Sequence, residues 1–190
     1  MKYLVAGRPA IDAARIDPAD IVAAGEFIVF EGPWTLGAPI IARLDDDAVD
    51  DIRTSISDLK AYAVEALATP GAGAAFVVAA HRMRDLVAFQ PYAEQVDAVV
   101  ERFGGRFLAR SAKAEMLGGD FVSDRAVILE FPTAAEAVAF YVSDVYAPLM
   151  QIRHATTDPR LVIVARAGTL PAEARAAAES YLRARAASSH

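Results

Sequence analysis

Few side chains in this 190-residue sequence are equipped for chemistry, and they are scattered along it. His81 ends the apolar strand within "AAFVVAAHR" (74–82) and could act as a general base if it faced the space between two sheets. Arg110 ends "FGGRFLAR" (103–110). Its two-pronged guanidinium suits a carboxylate or an enolate, with pairing to Glu130 or Asp120 as the structural alternative. Tyr141 and Tyr146 lie five positions apart, and either hydroxyl could donate to a ligand oxygen or be buried in a core with a partner. Arg153 and His154 close the same helical stretch, where cations also suit a helix C-terminus. In the first half, Glu31 and Trp34 sit in "EGPW" (31–34), which reads as an acidic corner floored by Trp or as a hairpin plugged by it.

Other chemistries are absent. There is no Cys, so disulfides, thiolate nucleophiles and Cys-bound metals are excluded. The three His are isolated, and the "DDD" run (45–47) with Asp50 and Asp51 reads as helix N-terminal charge, so no metal site is expected. No phosphate loop, dinucleotide fingerprint or Gly-x-Ser-x-Gly occurs, and no cofactor is expected. A net charge of −6 argues against a nucleic-acid partner. No apolar run approaches the roughly 20 residues of a membrane helix, and a cytoplasmic location is the expectation.

The elements that must hold these residues follow from periodicity. In the second half, 74–82 reads as a strand, 88–105 as a helix ended by Gly104-Gly105, and 106–117 and 125–131 as strands about a turn at 118–120. Thr133 and Glu136 make a capping box for a helix that must bend near Ser143–Pro148. Strand 160–168 and helix 171–186 follow, giving βαββαβ plus a terminal helix, the ferredoxin-like plan. The first half reads as βαββα: strand 2–7, a helix from Asp17–Pro18 to Gly25, strands 26–31 and 38–44, and a helix over 47–67. Its fourth strand is missing from this reading.

The halves echo one another. Gly25-Glu26-Phe27 lies over Gly105-Arg106-Phe107 at an offset of 80, and "EGPW" and "PIIARL" lie over "GGDF" and "AVILEF" at 87. The fold class expected is α+β: tandem ferredoxin-like repeats at 1–70 and 75–168 packed as a single-chain barrel, with a helix and tail at 169–190.

"FGGRFLAR", "LGGD", "AVILEFPTAAEAVAFYVSDVYAPLMQIR" and "RLVIVARAG" together resemble the uncharacterised bacterial family called domain of unknown function thirteen-thirty, over about residues 75–168. The resemblance implies a domain of the dimeric α+β-barrel kind, a superfamily holding cofactor-free monooxygenases, isomerases and dehydratases beside members of no known activity. It implies a monomer imitating a dimer, or a homodimer. The family's acidic residue is missing at Leu117-Gly118-Gly119 but survives in the first copy as Glu31-Gly32, whereas its strand arginine survives as Arg110 alone.

The expectation is a small-molecule pocket between sheet and helices near Arg110, Tyr141, Tyr146 and Arg153, with Trp34 in the other copy. The alternatives are a cofactor-free enzyme on a small oxygenated substrate, using His81, Arg110 or Glu31, and an oligomerising remnant.

Overall fold

The computed structural model describes residues 1–56, 60–112, 114–118 and 123–188, without the side chains of 9, 10 and 13. The expected partner Asp120 and most of the 118–120 turn lie outside the described residues.

Apolar, β-branched runs form the strands: β1 (Lys2–Gly7), β2 (Ile21–Ala23), β3 (Phe27–Glu31), β4 (Pro39–Leu44), β5 (Ala61–Glu65), β6 (Ala75–Met83), β7 (Arg106–Ser111), β8 (Glu115–Gly118), β9 (Arg125–Phe131) and β10 (Thr157–Ala165). The helices are α1 (Arg8–Ala14), α2 (Asp46–Ser55), α3 (Gln90–Arg102), α4 (Ala134–Val142), α5 (Ala147–Thr156) and α6 (Ala172–Ala187). The fold is α+β, as expected. The Thr133 side chain accepts from Glu136 N at 3.2 Å and donates to the Glu136 carboxylate at 3.0 Å, so Thr133 caps α4 as expected. The bend before Pro148 is a full break: α4 stops at Val142, and Ser143 Oγ accepts from Tyr146 N at 3.1 Å where the chain restarts.

Two elements differ from the sequence reading. The helix read over 47–67 ends at Ser55, and Ala61–Glu65 is the strand that the first half seemed to lack. Ala favours helix, but here alternate residues meet two cores, Tyr62 and Val64 one and Ala61 and Ala63 the other, and tertiary burial outweighs propensity. The helix read from Asp17 to Gly25 is a single 3-10 turn, Pro18–Asp20, capped by Asp17, while α1 lies earlier at Arg8–Ala14. Ile21 and Val22 continue instead as a strand beside β4.

All strand pairs are antiparallel. One sheet runs β2-β4-β1-β5-β8 and the other β7-β9-β6-β10-β3. Taken in each half's own order, both read second-third-first-fourth, the ferredoxin-like arrangement, and each ends on a strand from the opposite half. The exchange is reciprocal. After β2 the chain passes Gly25, where a Cβ would lie 2.3 Å from Ala165 O, and β3 then joins the second sheet. After β7 the chain crosses likewise, and β8 joins the first sheet.

Three cores result. Tyr3, Val5, Tyr62 and Val64 meet Phe76, Val78, Ile128 and Val162 between the sheets, so the two sheets face each other. Leu4, Ala6, Ile40, Val49 and Ile52 fill the outer face of the first sheet under α1 and α2. Val77, Ala79, Leu129 and Leu161 cover the outer face of the second sheet beneath its helices.

Candidate functional site

Strict alternation along β3 would put Glu31 on the face of Val29, toward the inter-sheet core. A one-residue bulge prevents this. Val162 pairs with Val29 and Leu161 with Glu31, so Phe30 is the extra residue and Glu31 turns outward under the helices. Gly32 then takes φ +67°, with a Cβ position only 2.4 Å from Pro159 O, which leaves room for glycine alone. β8 repeats the register: Tyr62 pairs with Met116 and Ala61 with Gly118, leaving Leu117 extra. Position 118 is therefore the structural counterpart of 31, and it carries no side chain.

Glu31 thereby enters the second half, beside its cations. Arg153, fully buried, donates from Nη1 to Oε2 at 2.5 Å and from Nη2 to Oε1 at 2.6 Å. The Tyr141 hydroxyl donates to the same carboxylate, His154 Nε2 lies 2.5 Å from it, and Arg185 of α6 stands at 3.6 Å. Burial alone would raise the Glu31 pKa, but the Arg153 guanidinium and the hydrogen bonds from His154 and Arg153 hold it far below the ordinary carboxylate range. Arg153 Nε also donates to the Tyr146 hydroxyl at 3.0 Å, which lies 3.3 Å from that of Tyr92. Burial pushes the hydroxyls of Tyr141 and Tyr146 well above their usual pKa, so both stay protonated. Arg84 donates to the carbonyls of His154 and Thr157 and caps the end of α5.

Beside this network lies a cavity of about 30 Å³, lined by His81, Arg110, Arg125, Tyr146, Arg153 and the aromatic rings of Phe89, Tyr92, Phe107 and Phe140 among others. Such a volume holds about two waters or the polar head of a larger ligand. His81 is 2% exposed, and its Nδ1 has no hydrogen-bond partner among the described residues. Burial, reinforced by Arg153, lowers its pKa to about 3, so the imidazole is neutral at pH 7.

Most of the residues singled out in the sequence converge here: His81, Tyr146 and Arg153 about the cavity, and Glu31, Tyr141 and His154 in the network beside it. Arg110 also lines the cavity, but its partner is neither Glu130 nor any described residue near 120. A second bulge, at Leu108 in β7, turns it toward α3, where Nη1 meets Asp97 at 2.7 Å and Nη2 donates to Ala93 O. Glu130 instead accepts from Arg106 Nε at 2.7 Å and from the amides of Gly71 and Gly73, tying down the junction between the halves. Arg153 and His154 do end a helix, yet both reach Glu31. Trp34 is elsewhere: it packs on the inter-sheet core and donates to Gly37 O at 2.9 Å, the plug arrangement. Arg125 was missed. It opens β9 directly opposite His81, and a charged residue heading an apolar strand was the available signal.

The chain is similar to two solved structures and to one family model. A protein of unknown function from Rhodopseudomonas palustris is 24% identical over 49% of this chain and 82% of its own, with a TM-score of 0.42. A major regulator of staphylococcal pathogenesis is 10% identical over 87% of this chain and 98% of its own, with a TM-score of 0.47. No curated protein matches. No helix among the described residues is long and apolar enough to cross a membrane. Residues 74–167, which contribute every cavity-lining side chain, match the family described as domain of unknown function (DUF1330), and this segment belongs to that family.

Proposed function

We propose that the protein binds a small molecule in the cavity between the second sheet and helices α3 to α5. The observation that carries this is the convergence of His81, Arg110, Arg125, Tyr146 and Arg153 on one small, aromatic-walled space. Binding is favoured over proton-transfer catalysis by the state of the candidate bases. A general base works best with a pKa near the operating pH, and His81 at about 3 is far below it. Glu31 is held ionised by Arg153 and surrounded by donors, so it positions helix α5 against the sheet instead. In this reading the chain is a monomer that carries both halves of a dimer-like barrel.

The test is a thermal-shift screen of small oxygenated compounds on the wild type and on Ala79→Val, which places two extra carbons in the cavity wall. Hits should raise the wild-type Tm by at least a few degrees and lose that effect in the filled variant. Equal shifts in both proteins would place binding outside the cavity.

A further inference from the structure

The ligand's charge can be read from what the cavity leaves unmatched. Three arginines line it. Arg153 is neutralised by Glu31 and Arg110 by Asp97. Arg125 has no carboxylate partner among the described residues. Its Nε is buried without a hydrogen bond, and its guanidinium lies over the Phe89 ring at 5.1 Å. The ring face attracts the half-buried cation, but burial and the neighbouring guanidiniums oppose its charge, an imbalance that an anion would relieve. Burial and the Arg110 charge both lower its pKa, which reports the same excess of positive charge.

The second unmatched group is its neighbour. Arg125 and His81 are cross-strand partners in β9 and β6, and both lie on the helix-facing side with Val127 and Val77. Partners so placed have Cβ atoms about 4.5–5.5 Å apart. The His81 ring contributes a nitrogen without a partner at 2% exposure, while Arg125 contributes donors.

We propose, building on the pocket reading above, that the ligand is a small carboxylate with a hydroxyl or N–H donor on the adjacent carbon. The acid pairs with Arg125, the donor meets the free nitrogen of His81, and a flat apolar body lies along Tyr92 and Phe107 at the half-buried rim. Arg110 lends long-range attraction but keeps its bond to Asp97.

Three probes separate these elements: mandelate has acid and donor, phenylacetate has the acid alone, and mandelamide has the donor without the charge. Calorimetric titration of the wild type should rank mandelate first, with phenylacetate several-fold weaker and mandelamide at least tenfold weaker. Arg125→Gln should abolish the preference for mandelate over mandelamide, and Arg125→Lys should keep part of it. Wild-type protein that binds mandelamide as tightly as mandelate, or Arg125→Gln that binds mandelate unchanged, overturns the anion assignment and leaves the pocket standing. Failure of all three probes to bind, with hits absent from the thermal-shift screen as well, overturns the pocket itself.

Discussion

The two sheets are built to one pattern and carry different contents. Each has the same strand order, each receives a crossing strand from the other half, and each crossing strand bulges one residue before the counterpart positions 31 and 118. In the second sheet that position is Glu31, which is buried and shared among Arg153, Tyr141 and His154. In the first it is Gly118, and the extra residue Leu117 joins an apolar core with Ile40 and Val49. The acid that β8 does bring, Glu115, pairs at the surface with Lys2 and Arg53. The larger difference is α5. The first half passes from α2, which ends at Ser55, to β5, which starts at Ala61, a connection too short to hold an equivalent of α5 with its Arg153 and His154. The two sheets share a frame, and helix α5, present beside the second sheet, brings the polar side chains to it. Glu31 of the first half meets Arg153 of the second because β3 crosses over, while Arg110 pairs with Asp97 on α3.

The largest expected effect on this comparison comes from the buried ion pair. Arg153→Met or Glu31→Leu leaves an unpaired buried charge and should lower unfolding free energy by about 3–5 kcal/mol. The double variant should recover most of that loss, because the pair is replaced by apolar volume. Glu115→Gln in the first sheet breaks only partly exposed pairs and should cost less than about 1 kcal/mol. Denaturant unfolding of the four variants checks the contrast, and equal losses at Glu31 and Glu115 would remove it.

Acid should act next. His81 takes a proton at about 6.5 when unfolded and near 3 when folded, so the unfolded chain binds more protons between those values and stability falls as pH drops through that window. Glu31 adds to the loss below its ordinary 4.5, because its folded pKa is depressed. His81→Leu should flatten the upper part of this pH profile, between about 6.5 and 4.5, and leave the lower part due to Glu31. A profile unchanged by the substitution would show that His81 is not the buried neutral group described.

The smallest effect on stability should belong to Arg125. Arg125 has no carboxylate partner among the described residues, so Arg125→Gln gives up only its contact with the Phe89 ring and should lower unfolding free energy by no more than about 1 kcal/mol while losing carboxylate binding. Similar losses in stability and binding would make Arg125 a packing residue.

Much of this was readable from residue order. β1, β9, the cap at Thr133 and the break before Pro148 all follow from apolar runs, a side-chain cap and a ring that cannot continue a helix. The site was partly readable: Tyr146, Arg153 and His81 lie where strand and helix ends come together. Two things were hidden. A bulge reverses every later side chain on its strand, and nothing in "EFIVFE" marks Phe30 as the extra residue that turns Glu31 outward. The placement of β3 in the opposite sheet is likewise a tertiary fact, which is why Glu31 read as belonging to the other copy. Arg125 could have been found by pairing the end of the first strand of its half with the start of the third, as the ferredoxin-like order requires, which sets it opposite His81.

A ligand held between His81 and Arg125, on the second sheet alone, must alter the His81 ring when it arrives. With only three histidines in the chain, NMR of 15N-labelled His rings during a mandelate titration tests it most directly. Binding between the two residues should give a saturable change in the His81 ring nitrogens, abolished by Arg125→Gln, with no change at His190. A His81 signal that stays fixed while mandelate binds, or that moves equally in the Arg125→Gln protein, would contradict it.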